Sequence, residues 1–343
     1  MNENTKNSRI YSLDVVRILS TLGIILFHWF TLAADGRYAG VPNGPSWGTN
    51  AGGALSTVFF ILSGFLLYSR WTGIGKYSLN KYFKTRFLAI FPMYYIAFII
   101  ATLPRILVGR GAAAPKWTLI FTVFGLDGWL SELFPTFAVV GEWFIGAIVI
   151  LYLIFPLIDR LYRWNIDMVM AVMTILMIIF RNEHLINPNS FHSILSCLFS
   201  FTFGAWLAAH DLHKSRTAGI ISLIGYVILT VIRVPSSWNM NLYYHICGML
   251  LFPALNLIGM LLASSLEKSS GFQNVIIKMS GLSYPVFLIH HAVILAIIQF
   301  LTPQTFPSVI GCLAIVLIGT VILALIIQKI SMLICRLFSR QRS

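Results

Sequence analysis

Arg17 and His28 lie in one apolar stretch near the N-terminus, with Asp14 three residues before the arginine. Eleven residues at 100° each is about 20° past three full turns, so on a helix Arg17 and His28 share one face, about 16 Å apart along the axis. Asp14 is placed for an i,i+3 ion pair that lowers the cost of holding Arg17 near a membrane boundary. The plainer reading is that Asp14 and Arg17 only snorkel at that boundary. His28 falls deeper in the stretch, where ionisable groups face the protein interior or a wet cavity. A neutral imidazole there serves either as a satisfied packing group or as a base that takes a proton from a hydroxyl while an acyl group moves onto its oxygen. A third chemistry has His28 itself attack and carry the acyl group.

The elements that must position these residues follow from composition. The chain has 343 residues, 58% hydrophobic and only 10% charged, against about 25% charged in soluble domains. Runs long enough for spanning helices lie near 12–33, 51–69, 86–107, 143–159, 167–181, 192–209, 217–234, 243–265, 284–301 and 308–334. The fold expected is therefore all-α, a single polytopic integral-membrane domain over 1–343 with about ten spans and no room for a sizeable soluble domain. Asp14, Arg17 and His28 interrupt the first stretch, which therefore reads as a mature helix rather than a cleaved signal peptide.

The segment 117–138 is apolar and aromatic but carries Asp127, Gly128, Glu132 and Pro135. With 108–142 kept outside as a loop or re-entrant segment, Arg70, Lys76, Lys81, Lys84, Arg160, Arg163, Lys214, Arg216, Lys268, Lys278, Arg336, Arg340 and Arg342 all fall inside. That is the positive-inside pattern, with Arg105, Arg110 and Lys116 as exceptions, and it puts both termini in the cytoplasm. The same rule accounts for the net charge of +13, from 24 basic and 11 acidic residues, without a nucleic-acid partner. The four cysteines sit in apolar runs without metal-type spacing, so neither a disulfide framework nor a metal site is expected.

Five motifs in order along the chain carry a resemblance. They are Tyr11-Ser-Leu-Asp-Val-Val-Arg17 with His28, Phe59-Phe-Ile-Leu-Ser63-Gly64-Phe, Arg86-Phe-Leu-Ala-Ile-Phe-Pro92-Met-Tyr-Tyr95, Trp143-Phe-Ile-Gly with Tyr152 and Pro156, and Ser283-Tyr284-Pro285-Val-Phe-Leu-Ile-His290-His291. Together they resemble the integral-membrane acyltransferase family 3, over residues 11 to about 295. The resemblance implies a ten-helix enzyme that uses cytoplasmic acyl-CoA, with Arg17 and His28 as the functional pair and Asp14, Ser63, Tyr284 and His290 in support. Many members carry a second arginine where this chain has Ala89, so phosphate binding is expected to lean on Arg86 with Lys81 or Lys84. Many also carry a glutamate where this chain has Ile148, which bears on subfamily. The secreted esterase-like domain of some relatives is not expected.

Each match also has a bland reading. Ser63-Gly64 suits close helix packing, and Tyr284-Pro285 suits the first turn of a helix. His290 and His291 diverge by about 100°, so both are not expected at one site, and His290 is favoured. His210, Asp211 and His213 read as a solvated helix cap beside Lys214. In the outer segment, Trp129, Asp127 and Glu132, with Trp143 beyond it, suit a sugar acceptor through aromatic contact and rim hydrogen bonds, or else simply pack.

The expected activity is O-acyl transfer, most simply acetyl, from acetyl-CoA or another acyl-CoA to a hydroxyl of a cell-surface or exported carbohydrate. The expected setting is the cell membrane, with lipids, acyl-CoA and an extracytoplasmic glycan as partners and no tightly bound cofactor. The alternatives are a transporter or flippase of a lipid-linked sugar, with the same charges lining a path, and an N-acyl or succinyl transferase of the same family.

Overall fold

The computed structural model describes residues 9–34, 47–72, 78–107, 114–137, 140, 142–180, 190–232, 239–266, 269–301 and 305–340. Among them are eleven α-helices and no strand: α1 (Tyr11–Ala34), α2 (Trp47–Trp71), α3 (Leu79–Leu107), α4 (Leu119–Phe124), α5 (Asp127–Leu130), α6 (Glu142–Ile179), α7 (Ile194–Ala209), α8 (Arg216–Val231), α9 (Met240–Leu266), α10 (Ser270–Phe300) and α11 (Phe306–Arg340). Seven of these are long and apolar enough to cross a membrane, and α7 and α8 are shorter apolar helices. Of the charged loop positions used to orient the chain, Lys76, Arg110, Lys268 and Arg342 lie outside the described residues.

One long helix is in fact a hairpin. Asn165 in α6 has extended backbone (φ −163°, ψ 102°), and its side-chain oxygen accepts from Met168 N at 2.9 Å, the bond an N-cap makes to the turn it starts. The Trp143 ring, at the head of α6, stacks on His192 just before α7. Met177 at the other end accepts a hydrogen bond from Ser196 in the first turn of α7. Both ends of α6 thus meet the start of α7, so the chain reverses at Asn165 and supplies two antiparallel arms, where the sequence shows two apolar runs. Asp159, fully buried near the elbow, is held by Arg163 at 3.1 Å and by the Thr72 hydroxyl at 2.5 Å.

The described part of the stretch 117–138, residues 117–137, forms no spanning helix. It breaks into a 3-10 turn at Lys116–Thr118, then α4 and α5, with Gly125 between them in the left-handed region at φ 71°. That conformation comes without strain only to glycine. One expectation about packing holds and one about a helix start does not. A Cβ on Gly64 would fall 1.9 Å from the Phe201 carbonyl oxygen, and one on Gly204 would fall 1.9 Å from that of Ile61, so α2 and α7 cross at backbone contact. Cys197, Cys247 and Cys312 are buried free thiols. Pro285, however, does not open a helix: α10 starts at Ser270 and holds the proline in its interior. On α8, Ile220, Ile221, Ile224, Val227 and Ile228 all face outward, as an apolar solvent requires.

Candidate functional site

The site is built on α1 and α10, which run side by side in the same direction. Tyr11 donates to Gln273 at 3.2 Å, Arg17 Nη1 donates to Ser280 Oγ at 2.9 Å, and further along the His28 ring lies 4.5 Å from the His291 ring. The separation of 263 positions from Arg17 to Ser280 recurs from His28 to His291. Two parallel helices in constant register thus share both ends of the pair singled out from sequence.

The first end is ionic. Asp14 is 5% exposed and accepts from Arg9 Nε at 2.6 Å, from Arg9 Nη2 at 3.0 Å and from Ser280 Oγ at 2.6 Å, while Arg17 Nη1 stands 3.5 Å away. The snorkelling reading of Asp14 fails here, because Arg9 and Ser280 cover its carboxylate from both sides. Ser280 accepts from Arg17 and donates to Asp14, so one hydroxyl fixes both groups. The Arg17 side chain keeps 29% of its surface exposed, and its Nε and Nη2 make no hydrogen bond to the described residues.

Arg86 belongs to the same neighbourhood. Its guanidinium carbon lies 5.6 Å from the centre of the Tyr152 ring, and Tyr152 is near Arg17 as well. Tyr82 donates to the Tyr152 carbonyl at 2.8 Å and Tyr284 to that of Ile90 at 3.2 Å, which binds α3 to α6 and α10. Lys81 and Lys84 do not join this group. Both are exposed, because Arg86 leaves α3 about 200° around the axis from Lys84. Ser63 is half-buried on α2 beside the Gly64 crossing.

The second end is a triangle of imidazoles. Ring centres of His28 and His290 are 5.2 Å apart, those of His28 and His291 4.5 Å, and those of His290 and His291 5.5 Å. The expectation that adjacent histidines cannot both face one site is corrected: α1 lies over the seam between their two directions, so both rings reach His28. His290 is 1% exposed, and its Nδ1 lies 2.7 Å from the Phe287 carbonyl oxygen. A carbonyl only accepts, so Nδ1 carries the proton and Nε2 of the neutral ring holds the lone pair. Among the described residues no three His, Cys, Asp or Glu side chains are arranged to hold a metal ion.

The aromatic residues Trp129 and Trp143 gather around His192, on the 3-10 turn before α7. Trp143 stacks on its ring at 4.1 Å, Trp129 Nε1 donates to its carbonyl at 2.8 Å, and Glu132 Oε1 lies 3.1 Å from its Nδ1. Gly146 makes room for Trp129, whose Cβ would stand 2.4 Å from any Cβ there. Phe144 and Phe287 then bridge in ring contacts of 6.4, 5.2 and 5.7 Å from Trp143 to His290. Asp127 departs from the expected rim. It is fully buried, accepts from the Thr122 hydroxyl, and is raised by burial from 3.8 to about 6.

Sequence reading missed Ser280, His192 and the part taken by His291. A lone serine or a second histidine in an apolar helix carries no motif of its own; only the α1–α10 register exposes it. His245, also unremarked, is fully buried on α9 with Ser200 at 2.6 Å and reads as packing. His210 pairs with Asp167 at 2.7 Å, while Asp211 lies 2.9 Å from Lys214 and 3.9 Å from His213, so only two of the trio at this helix end meet each other.

No curated protein and no solved structure matches the chain. The family model of the third acyltransferase family, described as an acyltransferase domain, matches residues 10–328. That match spans nearly the whole chain, including α1, α10, Arg17, His28 and the residues around them except Arg9, and it displaces the transporter reading: the chain belongs to this acyltransferase family and is a membrane acyltransferase.

Proposed function

We propose that this enzyme transfers an acyl group, most simply acetyl, from cytoplasmic acyl-CoA to a hydroxyl of a cell-surface or exported carbohydrate, in the cell membrane. The observation that carries the reading is the parallel α1–α10 pair, with an arginine clamp at one end and His28 among imidazoles about 16 Å further on, a distance comparable to a pantetheine arm. Parallel packing also supports ten crossings. With α6 counted as two arms, α10 is the ninth crossing and runs the same way as α1; counted as one, α10 would run opposite. The positive loops support both termini in the cytoplasm, with the arginine clamp on the CoA side.

In this reading Arg17, with its planar fork partly uncommitted, holds phosphate or polarises the thioester oxygen, and Arg86 beside Tyr152 adds a second cation. His28 takes the proton of the acceptor hydroxyl as the hydroxyl oxygen bonds to the acyl carbon and the carbon–sulfur bond breaks. The Trp143–His192 stack and Glu132 form the acceptor contact, with Trp129 behind them, while Asp127 braces the segment from within. His28→Gln tests the assignment. Membranes holding the full chain are expected to release CoA from acetyl-CoA in the presence of acceptor glycan. The variant should lose about 10²–10⁴-fold of that rate at normal abundance. Full activity in the variant removes His28 from the reaction.

A further inference from the structure

Away from the α1–α10 pair, a cavity of about 340 Å³ lies in a wedge between α7, α8 and α9. Its walls are Phe203 and Leu207 of α7, Ala218 and Ser222 of α8, and Ile246 and Leu250 of α9. It runs along α9 as far as Asn256, about 15 Å from Ile246 by helix rise. The wedge opens because α8 packs chiefly on α9, where a Cβ on Gly219 would fall 2.7 Å from that of Leu257. Water suits such a space poorly, since a buried water needs about 2–4 polar partners and these walls are mostly apolar. Left empty, the wedge forfeits the contacts of its lining. A hydrocarbon chain restores them.

One end of the wedge is polar. Asn256 is 3% exposed, and its Nδ2 donates to the His213 carbonyl at 2.6 Å. A carbonyl only accepts, so the amide is fixed in this orientation, and its Oδ1 has no hydrogen-bond partner. Just beyond His213 the chain enters α8, whose first turn holds Arg216 and no acidic residue. The positive end of the helix dipole and the Arg216 charge therefore stand together. Lys214 is paired with Asp211 at 2.9 Å, whereas Arg216 is exposed and makes no ion pair among the described residues. Burial lowers the pKa of His213, so that ring adds no further cation. We propose that the wedge binds one anionic phospholipid of the adjoining leaflet, with an acyl chain along α9 towards Ile246, the phosphate at the start of α8 beside Arg216, and a headgroup hydroxyl donating to Asn256 Oδ1. The lipid fills the gap that α8 leaves against α7 and fastens α8 to the bundle.

The test follows thermal unfolding of the full chain, purified in detergent, with added dioleoyl phosphatidylglycerol or with dioleoyl phosphatidylcholine, which has the same chains but no net charge. Phosphatidylglycerol is expected to raise the melting temperature about 3 °C more than phosphatidylcholine does. Ser222→Trp puts a bulky ring into the wedge, and Arg216→Gln removes the cation while leaving the cavity open. Each should cut that excess to about 1 °C or less. Equal gains from the two lipids in the parent overturn the proposal, because general solvation of the apolar surface then accounts for them. An excess that survives intact in either variant overturns it as well. So does the same gain from inorganic phosphate alone, which would put an anion at the helix start without a chain in the wedge. If Ser222→Trp accumulates poorly, Ser222→Leu narrows the wedge from the same position and decides in its place.

Discussion

The two ends of the α1–α10 pair solve the problem of polar groups in an apolar surrounding in opposite ways. At the Arg17 end the groups are ionic and mutually satisfied, with Asp14, Arg9 and Ser280 tied by bonds of 2.6 to 3.0 Å. At the His28 end the groups meet as rings, with centroids 4.5 to 5.5 Å apart and no described carboxylate between them. A charge held by fixed partners costs no reorganisation when it stabilises charge elsewhere. An imidazole, whose ordinary pKa lies near neutrality, can change protonation during a cycle. In the proposed function that difference suits the first end to holding and the second to proton movement, on the same two helices.

Arg17→Lys challenges the holding end most severely. Lysine keeps the charge but loses the fork that reaches Ser280 and Asp14 while leaving Nε and Nη2 uncommitted. The expected loss in transfer is at least 10²-fold, read as CoA release from acetyl-CoA, with abundance near normal because Asp14 keeps Arg9 and Ser280. Near-parental activity would mean that this end needs only a positive charge, and the comparison would lose its first half. Ser280→Ala is the milder probe. A hydrogen bond to a charged group contributes about 1.5–3 kcal/mol, and this hydroxyl makes two, so Arg17 should lose its orientation but not its charge. Transfer is expected to fall about tenfold, with part of it regained in Ser280→Thr, which restores the hydroxyl.

How far the sequence carries can be seen at the same residues. The Arg17–His28 alignment is legible because both lie on one helix, and helix periodicity is a local property. The apolar runs locate the helices for a similar reason, and the two runs around Asn165 anticipate the two arms of α6. What stays hidden is the register between helices far apart in sequence. Ser280 is one serine among many until α10 is laid beside α1, and His291 was set aside by an argument about its own helix alone. Lys81, Lys84 and Arg86 were grouped by proximity along the chain, and the 200° turn between Lys84 and Arg86 undoes that grouping. From sequence Asp127 reads as a rim carboxylate, because it stands among aromatic residues that suit a sugar acceptor. The folding of 114–137 onto α3, where Tyr95 donates to the Val123 carbonyl at 2.6 Å, buries it instead.

That carboxyl gives the smallest effect and sharpens the comparison by its contrast with Asp14. Both aspartates are buried, but Asp14 has two arginines and a serine, whereas Asp127 has the Thr122 hydroxyl. Asp127 lies outside the candidate membrane-spanning helices, and burial raises it to about 6. A carboxyl that binds its proton more tightly when folded contributes stability that is fully present below about pH 4 and is lost as pH rises through 6. Asp127→Asn replaces it with a group that never ionises yet still accepts from Thr122. The variant purified in detergent should gain in thermal stability relative to the parent between pH 4.5 and pH 7.5, by a few degrees. The measurement that decides is the difference between the two proteins at each pH, since every other titrating group is common to both. A difference that stays constant across the range would show that Asp127 is ionised throughout, with a cation supplied to it as Arg9 and Arg17 supply one to Asp14.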